Sequence, residues 1–140
     1  MDSPLLIVLA EDNPADVFFV RSALTEEGLD FQLRVFSDGE MAVRFLDDVE
    51  SGAAACPDLF LLDLNLPRLD GAEVLRRLRQ VDVCSKVPVI VMTSSDYRGD
   101  RERVSQLGVE LYFLKTASLE EFMQLGQAVR GVLDNCRDES

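Results

Sequence analysis

Short apolar segments recur five times along the chain, and each is followed by a turn and an amphipathic stretch. The first segment, 5–10, and the third, 58–63, contain continuous apolar runs, which are typical of strands buried on both faces. The second, 31–36, alternates apolar and polar side chains, which is typical of an edge strand with one face in water. The pattern therefore predicts five strands, and the remaining two lie at 87–92 and 110–114.

The stretches between these segments carry apolar residues at helical spacing. In the first stretch Asn13 is a suitable N-cap, Pro14 fits the first helical position, and Gly28 ends the helix. Loops are predicted at 51–57 and 64–71, on either side of the third strand. The predicted helices cover 14–27, 38–48, a stretch after Gly71, a weaker segment at 97–107, and a last helix that starts after Ser118.

Strands that alternate with helices indicate an α/β fold, in which a parallel sheet is covered by helices on both faces. An alternating strand at one edge and continuous strands in the middle match the doubly wound, flavodoxin-like order 2-1-3-4-5. We expect one domain over residues 1–140 and no output domain, because only the short polar tail DNCRDES follows the last helix. Ligands of such sheets bind outside the carboxyl ends of the strands, so the residues there are the functional candidates.

The composition is that of a globular protein with a strong negative charge. Asp and Glu number 26 against 14 Lys and Arg, which gives a formal charge of -12. No basic patch is visible, so we do not expect nucleic acid as a partner. No apolar run approaches the ~18–20 residues of a membrane span, and no basic leader precedes the first strand. We therefore expect a cytoplasmic protein that does not bind membranes.

The three cysteines, Cys56, Cys84 and Cys136, are widely spaced and odd in number. They match neither a zinc-binding spacing nor a disulfide framework. The chain contains no histidine, so transition-metal chemistry is not expected. We predict that all three thiols are reduced and serve as small hydrophobic side chains.

Polar side chains follow four of the predicted strands at their carboxyl ends. These residues are Glu11 and Asp12, Asp63, Thr93 and Ser94, and Lys115. Carboxylates brought close together repel each other unless a cation lies among them, and oxygen ligands without histidine suit Mg²⁺. Each residue alone has an ordinary alternative as a turn residue, a helix cap or a solvated charge. Their coincidence at one edge of the sheet predicts a metal and phosphate site.

Such a site suggests phosphoryl transfer to a carboxylate. A carboxylate can attack a phosphoryl group to form an acyl phosphate, while a metal ion and Lys115 neutralise the phosphoryl oxygens and Thr93 donates a hydrogen bond to one of them. The sequence has neither a P-loop nor a kinase glycine loop, so a nucleotide donor cannot be held in either familiar way. The phosphoryl donor must therefore come from elsewhere.

Four motifs together resemble the CheY-like receiver family of two-component response regulators. They are Glu11-Asp12, LLDLNLPRLDG at 61–71, MTSS at 92–95 and YFLK at 112–115, and the resemblance covers about residues 4–135. It implies a phosphoacceptor signalling protein rather than an enzyme, one that takes part in its own phosphorylation and dephosphorylation. It also implies a sensor histidine kinase as donor and a downstream protein as target.

The resemblance assigns a role to each motif residue. Asp63 would be the phosphoacceptor, and Thr93 and Lys115 would contact the phosphoryl oxygens. Tyr112 would be the aromatic residue that changes rotamer when Thr93 is drawn inward. Pro67 and Gly71 would shape the loop after the acceptor. The implied ligands of Mg²⁺ are Asp12 and Asp63 directly, Glu11 through water, and Asn65 through its backbone carbonyl.

Two details refine the resemblance. The start EDNPAD and the longer loop before the third strand resemble single-domain regulators paired with bacterial phytochromes, which suggests a phytochrome kinase as partner. Receivers usually have a cis proline after the lysine, whereas Thr116 follows Lys115 here. A cis bond before threonine costs ~3–4 kcal/mol, against under ~1 before proline. A trans bond there would re-aim the Lys115 loop slightly.

Three other functions fit the sequence less well. A dehalogenase-type phosphatase would carry a second aspartate at Asn65 and its motif on the first strand. A flavodoxin-type flavin binder would need a Ser/Thr/Gly-rich loop after the first strand, where EDNPAD repels phosphate. A pseudo-receiver that only mediates contacts would lack one of the acidic or lysine positions, and none is missing.

The output surface is expected to be the face formed by the fourth helix, the fifth strand and the last helix, around Tyr112. Leu125 and Val132 lie off the main apolar stripe of the last helix. They would either extend a homodimer contact on this face or be ordinary partly buried residues, and the sequence leaves both alternatives open.

Overall fold

The computed structural model of the chain describes residues 3–93, 97–115 and 118–138. Five parallel strands form one sheet in the order β2-β1-β3-β4-β5, which confirms the predicted topology. Side chains of β2 alternate in burial as expected of an edge strand, whereas β3 and β4 are buried throughout. The strands are β1 (Leu5–Ala10), β2 (Phe31–Phe36), β3 (Leu59–Asp63), β4 (Val89–Thr93) and β5 (Leu111–Leu114).

Helices follow the strands, and capping side chains fix several of their starts. Asn13, Asp38, Asp70 and Ser118 each accept a hydrogen bond from a backbone N–H in the first turn of the helix that follows. The helices are α1 (Pro14–Glu26), α2 (Gly39–Ser51), α3 (Gly71–Gln80), α4 (Tyr97–Val104), α5 (Leu119–Phe122) and α6 (Leu125–Asp138), and a 3₁₀ turn covers Asp82–Cys84.

Several boundaries differ from the sequence-based expectation; the fourth helix, for example, ends at Val104 and not at 107. The second helix runs to Ser51 and not to 48, because the chain leaves it only at Gly52, in the left-handed conformation (φ 88°) that glycine adopts readily. The loop predicted at 51–57 is correspondingly shorter. The predicted last helix consists of two helices, α5 and α6, because the chain turns at Met123 and Gln124.

The sheet separates two apolar layers. Val8 and Ala10 of β1 point into the layer formed with α2, α3 and α4, whereas Ile7 and Leu9 point into the layer formed with α1, α5 and α6. Alternate residues of one strand therefore support opposite layers, which is why the central strands are apolar at successive positions.

Leu125 and Val132 on α6 are both accounted for by the second of these layers. Leu125 is fully buried in it, so this residue is not available for a dimer contact. Val132 is partly buried and packs against the same layer. None of the helices in the described ranges has the length and apolarity that crossing a membrane requires.

The prediction of three reduced cysteines is wrong for two of them. Cys56 and Cys84 form a disulfide with a Cα–Cα distance of 5.7 Å, although they are 28 residues apart in sequence. The chain returns through β3 and α3, so the 3₁₀ turn that contains Cys84 lies beside the loop that precedes β3. Cys136 on α6 is partly buried and takes no part in this disulfide.

Candidate functional site

The carboxyl ends of four adjacent strands bring the predicted site residues to one edge of the sheet. Glu11 and Asp12 follow β1, Asp63 ends β3, Thr93 ends β4 and Lys115 follows β5. These strands are neighbours in the sheet, so residues as much as 104 positions apart in sequence come into contact. Ser94 and the Lys115–Thr116 bond lie outside the described residues, and the prediction about that bond is not tested.

Three carboxylates form a compact cluster at this edge. Glu11, Asp12 and Asp63 each offer one oxygen, and these oxygens all lie within 4.8 Å of one another. Glu11 and Asp63 are buried, whereas Asp12 is exposed to solvent. Burial of Glu11, together with the negative charge of Asp63, raises the pKa of Glu11 to about 7 even though Lys115 opposes the shift.

These features fit a divalent cation. The donors are oxygens of carboxylates, which hard cations such as Mg²⁺ prefer, and one of the three acids faces water, which such an ion retains in its shell. The backbone N–H of Asn65 donates to Asp63 Oδ1 at 2.9 Å, which holds Asn65 next to the acid cluster. Asn65 is the residue whose backbone carbonyl is predicted to bind the metal ion. Its contact with a metal stays a prediction.

Lys115 ties the acids together. Its Nζ donates to Glu11 Oε1 at 2.9 Å, to Asp16 Oδ2 at 2.9 Å and to Asp63 Oδ2 at 3.1 Å. Only 11% of its side chain is exposed. Burial by itself lowers the pKa of Lys115, but the bonds to Asp16 and Glu11 and the charge of Asp63 outweigh it and leave the pKa above its usual range.

Asp16 was not predicted as a site residue. It lies in the first turn of α1, where an acid is usually explained by the helix dipole. The only signal in the sequence is its place in EDNPAD, three residues after the N-cap.

Thr93 is fully buried, and its hydroxyl oxygen has no hydrogen-bond partner among the described residues. A buried hydroxyl without a partner costs ~1–3 kcal/mol, so such a group calls for a functional explanation. The backbone carbonyl of Thr93 accepts from the N–H of Lys115 at 2.6 Å, which joins the ends of β4 and β5.

The loop after β3 approaches the acid cluster closely. The N–H of Gly71 donates to the carbonyl of Leu64 at 2.9 Å, and a Cβ at Gly71 would lie 2.5 Å from the Asp63 carbonyl oxygen. Only glycine fits there, which explains the Gly71 of the motif. The carbonyl of Pro67 accepts from the N–H of Gly39 at 3.2 Å, so the start of α2 supports the loop.

Tyr112 lies on β5, partly buried against the layer that contains α4. The guanidinium of Arg101 on α4 lies 4.9 Å from its ring centroid, which is a cation–π distance. Its role as a switch stays a prediction.

The model of the response regulator receiver domain family matches residues 7–127. The chain belongs to this family. Receiver domains of this kind are response regulators of two-component systems, and the observed strand order is that of their flavodoxin-like fold. The family assignment favours a receiver domain over the phosphatase and the flavin binder considered above.

The proteins that this receiver domain resembles include a phytochrome response regulator. Response regulator Rcp1 of Synechocystis sp. is 35% identical over 127 residues, which cover 90% of this chain and 86% of that protein. The Mn²⁺-bound structure of Rcp1 has a TM-score of 0.80 at 34% identity and covers 91% of this chain and 93% of that one. The structure of phosphorylated RcpA, a cyanobacterial phytochrome response regulator, has a TM-score of 0.81 at 32% identity and covers 91% of this chain and 92% of that one.

A relative with magnesium bound is more distant. The receiver domain of the sensor histidine kinase PA1611 from Pseudomonas aeruginosa PAO1 has a magnesium ion coordinated in its active-site cleft. It is 29% identical, with a TM-score of 0.72 and coverage of 92% of this chain and 99% of that one. Homologous structures therefore hold Mn²⁺ or Mg²⁺, and the cluster of Glu11, Asp12 and Asp63 fits such an ion.

Proposed function

We propose that this receiver domain accepts a phosphoryl group on Asp63 from a sensor histidine kinase in a Mg²⁺-dependent reaction. The observation that carries the proposal is the environment of Asp63. Its Oδ2 accepts from Lys115, and at the end of the neighbouring strand the buried Thr93 hydroxyl has no partner among the described residues. A phosphoryl group on Asp63 would supply acceptor oxygens to both side chains.

The proposed step is an exchange of one bond for another. An oxygen of the Asp63 carboxylate attacks phosphorus, the P–N bond of a phosphohistidine breaks, and the imidazole leaves with the electron pair and takes up a proton. Lys115 and the Thr93 hydroxyl stabilise charge on the transferred oxygens. A divalent cation held by Glu11, Asp12 and Asp63 would supply further positive charge for the same oxygens.

The donor we propose is a phytochrome-type histidine kinase. Support comes from RcpA, whose description names a phytochrome response regulator, and from 35% identity to Rcp1. The output we propose is a contact with a downstream protein or a second copy through the face of α4, β5 and α6. Leu114 of β5 is 48% exposed there, and Tyr112 and Arg101 pack together on the same face.

Asp63→Asn tests the acceptor. The protein is incubated with Mg²⁺ and acetyl phosphate, and then with each candidate kinase and ATP, and mass spectrometry measures the mass increase. We expect the wild type and the control Asp134→Asn, an exposed acid on α6, to be phosphorylated and Asp63→Asn to remain unmodified. Full phosphorylation of Asp63→Asn would exclude Asp63 as the acceptor.

Thr93→Ala tests the output. Analytical ultracentrifugation with and without beryllofluoride compares it with the wild type for self-association, and a pull-down compares binding of the partner. We expect Thr93→Ala to keep the acid site and to lose the response to beryllofluoride, because alanine has no hydroxyl that could follow the phosphoryl oxygens inward and vacate space beside Tyr112. The same response in both proteins and both assays would place the output on another face.

A further inference from the structure

Asp16 is a fourth acid at the site, and the metal cluster does not include it. The oxygens that lie within 4.8 Å of one another belong to Glu11, Asp12 and Asp63. Asp16 nevertheless accepts a hydrogen bond from Lys115 Nζ at 2.9 Å, as short as the bond from Lys115 to Glu11. Its side chain is only 18% exposed, so this ion pair is partly shielded from water.

The start of α1 fixes the position of Asp16. Asn13 caps the helix, and its Oδ1 accepts from the N–H of Ala15 at 2.9 Å and from the N–H of Asp16 itself at 3.4 Å. Pro14 occupies the first helical turn, where its fixed φ is already helical. The carboxylate of Asp16 is thus presented from a rigid backbone, whereas Lys115 reaches it through a flexible four-carbon stem.

The Lys115 ammonium has three N–H donors, and the structure gives each of them one carboxylate. Two of these acceptors, Glu11 and Asp63, belong to the cluster that fits a metal, and Asp63 is the proposed acceptor of the phosphoryl group. Once a cation and a phosphoryl group engage those two acids, Asp16 is the remaining carboxylate partner that Lys115 has in this structure.

We propose that Asp16 is a positioning residue, which anchors the Lys115 ammonium beside Asp63 and limits its competition with the metal ion for Glu11 and Asp63. The inference rests on the proposed function of the site. Asp16 acts through Lys115 and touches neither the phosphoryl group nor the metal ion. Without its charge, Lys115 would be shared by the two remaining acids alone and would oppose the cation more strongly.

The experiment measures Mg²⁺ affinity by titration calorimetry and the rate of phosphorylation by acetyl phosphate. Asp16→Asn removes the charge and keeps the shape, Asp16→Glu restores the charge, and Glu26→Gln makes the same charge change at the far end of α1. We expect Asp16→Asn to weaken Mg²⁺ binding roughly three- to tenfold and to slow phosphorylation by a similar factor. Asp16→Glu should recover at least half of each effect, and Glu26→Gln should match the wild type.

The same substitution in a Lys115→Ala background separates positioning from a direct effect on the ion. We expect Asp16→Asn to change Mg²⁺ affinity much less there and to cause no further loss of phosphorylation. Equal Mg²⁺ affinity of Asp16→Asn and the wild type would overturn the inference, as would an undiminished effect without Lys115. If the wild type accepts no phosphoryl group, the proposed function fails, while the Mg²⁺ series still decides the role of Asp16 because it requires no transfer.

Discussion

The Thr93 hydroxyl is buried without a partner among the described residues, and this has a measurable energetic consequence. Valine has nearly the shape of threonine and no hydroxyl to desolvate. We expect Thr93→Val to raise the free energy of unfolding of the metal-free protein by ~1 kcal/mol, as measured in urea. Thr25→Val is the control, because the Thr25 hydroxyl donates to the carbonyl of Arg21 at 2.8 Å. This substitution should not raise the free energy of unfolding. A loss of stability in Thr93→Val would mean that the hydroxyl is satisfied in solution.

Glu11 should make stability depend on pH. Burial and the charge of Asp63 raise the pKa of Glu11 to about 7 from an ordinary value of 4.5, so between these values the folded protein holds a proton that the unfolded chain has released. This contribution to stability is fully present below pH 4.5 and is lost as pH rises through 7.

Urea unfolding of the wild type and Glu11→Gln across this range, without Mg²⁺, measures the effect. We expect the wild type to lose on the order of 1–3 kcal/mol more than Glu11→Gln as pH rises. Added Mg²⁺ should reduce the difference, because the cation stabilises the ionised carboxylate. Parallel pH profiles in the two proteins would show that Glu11 is ionised with an ordinary pKa.

The residues at strand ends could be predicted because a continuous apolar run marks where each strand stops. Glu11, Asp63 and Lys115 follow such runs, and parallel strands bring their carboxyl ends to one edge. Asp16 could not be predicted in the same way, since an acid in the first turn of a helix has an ordinary explanation. Its contact with Lys115 depends on how α1 packs, and no local pattern encodes that packing.

At the level of elements, the start of α3 is held against the end of β3 by a close backbone approach. A Cβ at Gly71 would lie 2.5 Å from the Asp63 carbonyl oxygen and 2.6 Å from the Leu64 Cα. We expect Gly71→Ala to lower the free energy of unfolding by ~1–3 kcal/mol and to weaken Mg²⁺ binding, because the loop that carries Asn65 must move.

Gly131→Ala is the matched control for this prediction. Gly131 lies inside α6, where a Cβ would meet nothing within 4 Å. The same substitution should there raise the free energy of unfolding by ~0.5–1 kcal/mol, since alanine is the better helix former. Unchanged stability and Mg²⁺ affinity in Gly71→Ala would show that the loop adjusts without cost.

Element types and their order followed from apolar periodicity, whereas some element ends did not. The second helix continues to Ser51 because Gly52, and not the earlier end of the apolar stripe, allows the chain to leave it. The last helix divides into α5 and α6, and Phe122, Val129 and Leu133 of the predicted stripe are still buried in one layer. Leu119, which the stripe also included, is exposed, whereas Leu125, predicted to lie off the stripe, is fully buried. Periodicity alone therefore did not indicate the break.

At the scale of the whole molecule, the Cys56–Cys84 disulfide closes a 28-residue separation that includes all of β3 and α3. A crosslink that closes a loop of this length lowers the conformational entropy of the unfolded chain. In the chain-entropy model it stabilises the fold by ~3–4 kcal/mol. We expect reduction, or the double substitution of both cysteines by serine, to lower Tm on the order of 10 °C. Cys136→Ser leaves the bridge in place and should not reproduce this decrease.

Calorimetry with and without a phosphine reductant measures this change. If the reductant leaves Tm unchanged, and if the thiols of Cys56 and Cys84 can be titrated in addition to that of Cys136, the bridge is absent in solution. Cysteine spacing could not predict the pair, because the contact arises only after the chain has returned through β3 and α3.

Because the sheet separates the two apolar layers, substitutions in one layer should affect stability independently of substitutions in the other. Phe45 on α2 and Val129 on α6 belong to apolar layers on opposite faces, and the two layers share none of the residues that the structure describes. Substitutions at distant sites without shared partners combine additively to within ~0.5 kcal/mol. Phe45→Leu and Val129→Ala should therefore combine without interaction. Each layer can then accumulate substitutions during evolution without compensation in the other, while the acid cluster at the common edge remains in place.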